Sequence, residues 1–275
     1  MIIKLAVFCL IYFPVFFGFC RAQTQEATFL YQKALASYQA KAIDSSFFYL
    51  NEALRLDNNF REAYMQRGLL HYEFSDMEAA IRDYTSAIDL QPKESEAYYR
   101  RGVAHYQLNE SKKAIEDFSR TIQLNPQYHQ AYLARGVLYD ENNDFKKALK
   151  DYNQAILIAP SYPISYYNRS LIYYQLGEES QALDDLKKAT SLDTTYEAAR
   201  LLRAFIYNEQ QNFQAALLDC KEVIALNPYS AEAFLHQGNA EKGLGQPENA
   251  CQSWKTAEKL GNLEVKTLID ENCPK

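Results

Sequence analysis

The chain has 275 residues, of which 29 are lysine or arginine and 35 are aspartate or glutamate, so its net charge at pH 7 is −6. This acidic balance argues against a nucleic-acid-binding protein, because phosphates require a basic stripe, and equally against adhesion to an anionic bilayer. Tyrosine (22) and phenylalanine (15) supply large rings for burial, whereas glycine (9) and proline (8) are few, which fits packed elements with short joints.

Residues 1–22 differ from the rest of the chain. Lys4 precedes an uncharged apolar run that ends at Cys20, and Arg21-Ala22 leads into a polar segment. This order predicts a secretory signal cleaved after Ala22, so that the protein is exported to the periplasm or cell envelope without membrane insertion. Two alternatives stay open: a membrane anchor, for which the apolar run is short against the about 20 residues of a spanning helix, and a lipid tether at Cys20.

After the leader, small residues return at a fixed interval of 34 positions. The first series is Ala34, Gly68, Gly102, Gly136, Ser170, Ala204 and Gly238. A second series follows twelve positions later, at Ser46, Ala80, Ala114, Ala148, Ala182, Ala216 and Ala250. Prolines come after twelve more, at Pro92, Pro126, Pro160 and Pro228. A period of this length indicates one supersecondary unit stacked on copies of itself.

Each period contains two segments in which apolar residues recur at helical spacing, for example 62–73 and 77–90. A short polar joint separates the two segments, and the proline near the end of the period cannot continue a helix. The two series of small residues are expected where the paired helices cross closely. The sequence therefore predicts an all-α chain of helix-turn-helix hairpins.

The frame Ala-Tyr-x-x-Arg-Gly, at Ala63–Gly68, Ala97–Gly102 and Ala131–Gly136, resembles the tetratricopeptide repeat when taken with the second small residue and the proline. The resemblance gives repeats 1 to 7 at 27–60 (degenerate), 61–94, 95–128, 129–162, 163–196, 197–230 and 231–264, with a C-terminal cap at 265–275. It implies a right-handed superhelical solenoid whose concave groove binds a protein or peptide. Places 1–34 are counted from the first residue of each repeat.

The family presents places 2, 5, 9 and 12 of the first helix to the groove. This resemblance selects Met65, Tyr72, Tyr99, Tyr106, Leu133, Tyr167 and Tyr174 as groove residues. Tyrosine combines a wide apolar face with a hydroxyl group, which suits peptide recognition. Packing within the repeats is an equal alternative for the five tyrosines, and the ninth-place aliphatic residues are expected to belong to the core.

Arginine at place 7 and aspartate at place 23 occur together in five repeats and are both missing from repeats 1 and 7. The pairs are Arg67 with Asp83, Arg101 with Asp117, Arg135 with Asp151, Arg169 with Asp185 and Arg203 with Asp219. Residues that occur together in this way are expected to touch, and the planar guanidinium meets a carboxylate with two hydrogen bonds. We predict a structural ladder of interhelical pairs; an anion-binding stripe is the alternative.

Three cysteines follow the leader. In an oxidising compartment Cys251 and Cys273 are candidates for a disulfide that would fasten the capping helix, and the surrounding stretch resembles the end of many exported bacterial repeat proteins. Cys220 is expected to be a buried free thiol. If the leader is not a signal, three reduced thiols are expected instead.

Catalytic motifs do not assemble in this sequence. His71 and His105 occupy a place that tyrosine takes in later repeats, His129 and His236 stand alone, and neither a P-loop, a GxSxG elbow nor an HExxH motif occurs. We therefore expect no enzymatic activity, no cofactor and no metal. The leading hypothesis is an exported protein–protein interaction scaffold. A structural subunit of an envelope assembly, using its convex face or ends, is the alternative, and self-association stays open.

Overall fold

The computed structural model describes residues 24–274, and this part of the chain is helical with no strand. The predicted all-α fold is confirmed, whereas the leader predicted at residues 1–22 lies outside the described residues. The helices are α1 (24–39), α2 (Ile43–Leu56), α3 (Arg61–Glu73), α4 (Met77–Leu90), α5 (Ser95–Gln107), α6 (Ser111–Leu124), α7 (His129–Glu141), α8 (Phe145–Ile158), α9 (Pro163–Gln175), α10 (Glu179–Leu192), α11 (Glu197–Glu209), α12 (Phe213–Leu226), α13 (Ala231–Gly243), α14 (Pro247–Lys259) and α15 (Val265–Asn272).

Helices α1 to α14 form seven hairpins, one per repeat, and α15 follows the last hairpin as the predicted capping helix. Among the described helices, none is both long enough and apolar enough to cross a membrane. The chain divides into two compact bodies between Arg135 and Gly136, within α7. The N-terminal body has a core that includes Leu50, Leu70 and Tyr84, and the C-terminal body has its own core.

The joint inside every hairpin has the same backbone conformation at place 15. The φ angle there lies between +57° and +76° in all seven repeats, at Lys41, Ser75, Asn109, Asn143, Gly177, Gln211 and Gly245. The next residue donates its backbone N–H to the carbonyl at place 11, as Asp76 does to His71 at 2.8 Å. This bond closes a Schellman motif, which satisfies a carbonyl that the helix end would leave without a partner.

Where the two helices of a hairpin cross, the residue at place 8 faces the residue at place 24. Place 8 is glycine where place 24 is aromatic, as in Gly68 with Tyr84, Gly102 with Phe118, Gly136 with Tyr152 and Gly238 with Trp254. A Cβ atom added to Gly102 would lie only 2.8 Å from Cε1 of Phe118. Where place 24 is smaller, place 8 carries a side chain, as in Ala34 with Leu50, Ser170 with Leu186 and Ala204 with Cys220. The ring at place 24 therefore determines the need for glycine at place 8.

Helix α15 covers the open side of the last hairpin. Val265 is fully buried in a cluster with Trp254 and Ala257, and Leu268 and Ile269 pack against the same cluster. The C-terminal end of α15 is joined to α14 by a disulfide between Cys251 and Cys273, whose Cα atoms lie 5.6 Å apart. The cap is thus held by apolar burial at one end and by a covalent bond at the other.

We expect reduction of this disulfide to loosen α15 selectively. In the Cys251→Ser/Cys273→Ser variant, amide hydrogen exchange should accelerate over 265–272, because Val265 then supplies the main buried anchor of an eight-residue helix. Hydrogen exchange detected by mass spectrometry measures the change, with α4 in the N-terminal body as the internal control. Equal acceleration in both helices would contradict a local tether.

Candidate binding grooves and the arginine–aspartate ladder

The predicted ladder forms where both members of a pair lie in one body. Arg67, Arg101, Arg169 and Arg203 each donate from Nε and Nη2 to the two carboxylate oxygens of their predicted aspartates, at 2.5–2.9 Å. The aspartate side chains are 3–8% exposed and those of the arginines 14–22% exposed. The hydrogen bond to Asp83 raises the pKa of Arg67, so this guanidinium stays charged. Arg135 and Asp151, the fifth predicted pair, belong to different bodies.

Each ladder arginine also contacts the preceding repeat through a hydrogen bond that is not among the predictions from the sequence. Nη1 donates to a polar side chain at place 25 of that repeat: Arg67 to Asn51, Arg101 to Thr85, Arg135 to Ser119 and Arg169 to Asn153, at 2.5–3.1 Å. Repeat 5 has Lys187 at place 25, which offers no acceptor, and Arg203 donates to Thr190 instead at 2.7 Å. The recurrence of small polar residues 34 positions apart is the signal that predicts this bond.

The two repeats without a ladder pair use other interactions at the same places. In repeat 1, Nζ of Lys33 lies 5.4 Å from the ring centroid of Tyr49. In repeat 7, the buried Glu241 carboxylate accepts hydrogen bonds from Nε2 of Gln237 at 2.8 Å and from Oγ of Ser253 at 2.7 Å. Because the ladder arginines use Nε, Nη1 and Nη2 within the protein, this geometry favours a structural role over anion binding.

A concavity of the C-terminal body lies on the first helices of repeats 5 to 7. Its volume is about 1040 Å³, and its lining comprises Tyr167, Glu197, Ala198, Leu201, Leu202, Phe205, Glu232, Leu235, His236, Asn239 and residues 261–264. We call it the C-terminal groove. Places 5 and 9 of these helices form much of its floor, as the resemblance implies, and the joint between α14 and α15 closes one end.

The N-terminal body has a smaller cavity of about 180 Å³, which includes Tyr72 and Tyr99 in its lining. Glu96, also in the lining, is held by two neighbours: Nε of Arg100 donates to Oε1 at 2.6 Å, and the Tyr128 hydroxyl donates to Oε2 at 2.5 Å. Burial, followed by the hydrogen bond to Glu96, raises the pKa of Tyr128, so this phenol stays protonated at neutral pH. The acid of this cavity is therefore already paired.

The predicted groove tyrosines contribute to both lining and packing. In repeats 1, 3 and 5 the fifth-place tyrosine packs on the aromatic residue at place 34, with ring centroids 4.8–5.2 Å apart; the pairs are Tyr31 with Phe60, Tyr99 with Tyr128 and Tyr167 with Tyr196. Tyr174 packs edge-on against Phe205 at 5.6 Å. Met65 packs against the core cluster of Ala87, Ile88 and Ala97. Tyr106 and Leu133 are half-buried and lie outside the linings of these two cavities.

Two expectations from the sequence are wrong. The ninth-place aliphatic residues Leu69 and Val103 are not simply core: they are half-buried and line the cavity of the N-terminal body, because the first helices leave this face without a covering layer. His236 does not stand alone, since its Nε2 lies 3.6 Å from Oε1 of Glu232 and its ring lines the C-terminal groove. The position of His236 in the first helix of repeat 7, four residues after Glu232, is the feature of the sequence that indicates this contact.

Cys220 is fully buried and not in a disulfide, and burial raises the pKa of its thiol to about 12. We expect the native protein to resist a thiol-specific reagent at pH 8. When protein that begins at Gln23 is unfolded with its disulfide intact, one thiol should react. Because an unfolded thiol ionises above about 8.5, the contribution of Cys220 to folding stability should fall as the pH rises from that value towards 12. Rapid labelling of the native protein would contradict this burial.

Stacked helical hairpins with lined grooves define a repeat protein that presents interaction surfaces. Among the described residues, no group of three histidine, cysteine or acidic side chains is placed to hold a metal ion. Tetratricopeptide repeat models match residues 62–94, 95–128 and 136–207, which together make up half of the chain. The chain belongs to the tetratricopeptide repeat family, whose members are generally non-enzymatic scaffolds for other proteins.

Solved structures of the same fold are similar to this chain. A tetratricopeptide repeat protein from Parabacteroides merdae matches 91% of this chain and 100% of its own, with 19% identity and a TM-score of 0.65. The protein MamA matches 58% of this chain and 94% of its own, with 26% identity and a TM-score of 0.56. YrrB, described as having an unusual peptide-binding site, matches 68% and 97%, with 18% identity and a TM-score of 0.60. A comparison with curated proteins finds no match.

Proposed function

We propose that this protein is an exported, non-enzymatic scaffold that binds a protein or peptide in the concave groove of its repeats. The observation that carries the proposal is the C-terminal groove, which spans the first helices of three successive repeats and encloses about 1040 Å³. Leucine and phenylalanine side chains line it together with polar groups such as Glu232 and Asn239, which is the composition of a ligand site. YrrB supports the proposal by showing that this fold carries a peptide-binding site.

An alternative function uses the opposite face of the hairpins. Leu157 and Leu218, on the second helices α8 and α12, are 74% and 60% exposed, and Leu226 is 55% exposed. Apolar side chains left in water at these levels favour a protein contact when they are grouped. The protein would then be a structural subunit of an envelope assembly, and its groove would be incidental.

A capture experiment with two matched variants separates the two functions. The groove variant is Phe205→Ala/Leu235→Ala, and the back variant is Leu157→Ala/Leu218→Ala; both remove two apolar side chains from the C-terminal body. Partners are captured from an envelope extract of the source organism and quantified by mass spectrometry, with unfolding midpoints measured for each variant. We expect the groove variant to lose its partners and the back variant to retain them. The reverse result would overturn the groove and support the structural subunit.

Export is the second part of the proposal. It is supported by the order of residues in 1–22 and by the Cys251–Cys273 disulfide, because such bonds persist in oxidising compartments. We expect the N-terminal sequence of protein recovered from the periplasm or cell envelope to begin at Gln23. An intact Met1 would indicate a retained anchor, and a lipid-modified Cys20 would indicate a tether.

A further inference from the structure

We propose that the C-terminal groove selects an extended peptide segment in which lysine or arginine side chains alternate with apolar ones. This inference rests on the proposed function and adds the chemistry of the partner. The inference follows from three observations on the lining of the groove: its carboxylates, its apolar side chains and one buried polar atom of His236.

Three carboxylates line the groove, those of Glu197, Glu232 and Glu264. Among the described residues in this lining, none is lysine or arginine. Glu197 accepts hydrogen bonds from Nδ2 of Asn227 at 3.0 and 3.3 Å, and the Asn227 amide is neutral. The neighbouring His236, whose Nε2 lies 3.6 Å from Oε1 of Glu232, lowers the pKa of that carboxyl group, so Glu232 is charged at neutral pH. The groove therefore offers negative charge that the lining does not neutralise with lysine or arginine.

The cavity of the N-terminal body provides the internal comparison. Glu96 also lines its cavity from the first helix of a repeat, but Arg100 lies 2.6 Å from it and supplies the balancing charge. An arginine thus lies beside the acid in the cavity of the N-terminal body, whereas the lining of the C-terminal groove contains acids but no arginine. A partner that brings cations into the C-terminal groove supplies this missing charge, and charge complementarity of this kind gives both selectivity and fast association.

The floor of the groove restricts the partner further. Leu201, Leu202, Phe205 and Leu235 add apolar surface to the same lining, which a small hydrophilic cation does not cover. In an extended segment, successive side chains point to opposite sides. A segment that alternates apolar and basic residues can therefore place its apolar side chains on the leucine and phenylalanine surface and its basic side chains near the carboxylates. The volume of about 1040 Å³ accommodates several residues of such a segment.

His236 supplies an independent observation. The residue lines the groove and is only 7% exposed, and its Nδ1 atom is buried without a hydrogen-bond partner in the described chain. Buried polar atoms in proteins are nearly always paired. A peptide segment offers backbone N–H and C=O groups at regular intervals, and one of these groups can pair with the ring when the groove is occupied.

The test begins with a displayed library of random dodecapeptides selected on the disulfide-bonded protein. We expect the enriched peptides to carry at least two lysine or arginine residues among aliphatic or aromatic ones. The best peptide is then titrated by fluorescence anisotropy against wild type, the triple variant Glu197→Gln/Glu232→Gln/Glu264→Gln and the control Glu248→Gln, which removes an exposed acid of α14 outside the groove. Circular dichroism verifies that each variant is folded.

The triple variant should bind about tenfold more weakly or worse, the control should bind within about twofold of wild type, and added salt should weaken wild-type binding most. Enrichment of neutral or acidic peptides, or equal affinity in wild type and the triple variant, would overturn the charge preference; loss of binding in Phe205→Ala/Leu235→Ala would then still support the groove. If no peptide is enriched at all, the groove-binding function falls together with this inference.

Discussion

Arg101→Met will destabilise the protein by about 3 kcal/mol, because it leaves the buried Asp117 carboxylate without its arginine, and Nε2 of His105, 3.9 Å away, is too distant for a hydrogen bond. The Asp117 side chain is 8% exposed and accepts two hydrogen bonds from Arg101 at 2.8 and 2.9 Å. The same change removes the bond from Nη1 to Thr85 and with it a polar contact between repeats 2 and 3. Urea unfolding followed by circular dichroism measures the loss.

The double variant Arg101→Met/Asp117→Leu should recover most of that loss, since no buried charge then remains. Arg55→Met is the matched control: Arg55 forms an ion pair with Glu52 at 2.9 Å, but its side chain is 66% exposed, so we expect no measurable change. Additive losses from the two single variants would contradict the pairing. Weaker partner binding at unchanged stability would instead support the anion-binding alternative.

Gly102→Ala will cost about 2–3 kcal/mol although alanine is the better helix former. The new Cβ atom would lie 2.8 Å from Cε1 and 3.0 Å from Cδ1 of Phe118, a ring that is 1% exposed and has no free space to move into. Overpacking of this kind forces shifts of backbone and side chains. The unfolding free energy in urea is again the measurement.

The chain itself offers the compensating change. Repeat 1 combines Ala34 with Leu50 at the same two places, so Gly102→Ala/Phe118→Leu should be more stable than the sum of the two single effects predicts. Gly177→Ala is a useful contrast, because nothing lies within 4 Å of its added Cβ and its cost arises only from φ of +76°. If Gly102→Ala is neutral, the crossing of the helices is looser than the structure indicates.

The sequence by itself determined the number of hairpins, the helix content and the partners within the ladder. The hairpin pattern repeats every 34 residues, so it is read seven times and single departures such as Ser170 do not obscure it, and the ladder pattern recurs in five repeats. The correlated presence of arginine and aspartate added a contact, because residues sixteen positions apart in a hairpin face each other across two helices. Helix ends were also constrained locally, by the joint and the proline.

Only the tertiary structure decided which residues line a cavity and which charges are balanced there. Tyr99 and Tyr167 occupy equivalent places, and each packs on the ring at the end of its own repeat, a contact between residues that are far apart in the sequence. Glu96 and Glu232 also share a place, and each has a partner four residues later in its own helix, Arg100 or His236; Glu96 in addition accepts a hydrogen bond from the Tyr128 hydroxyl, 32 positions away. Contacts of this kind join residues that are distant in the sequence, and the repeat period alone does not determine which side chains meet within a few ångströms.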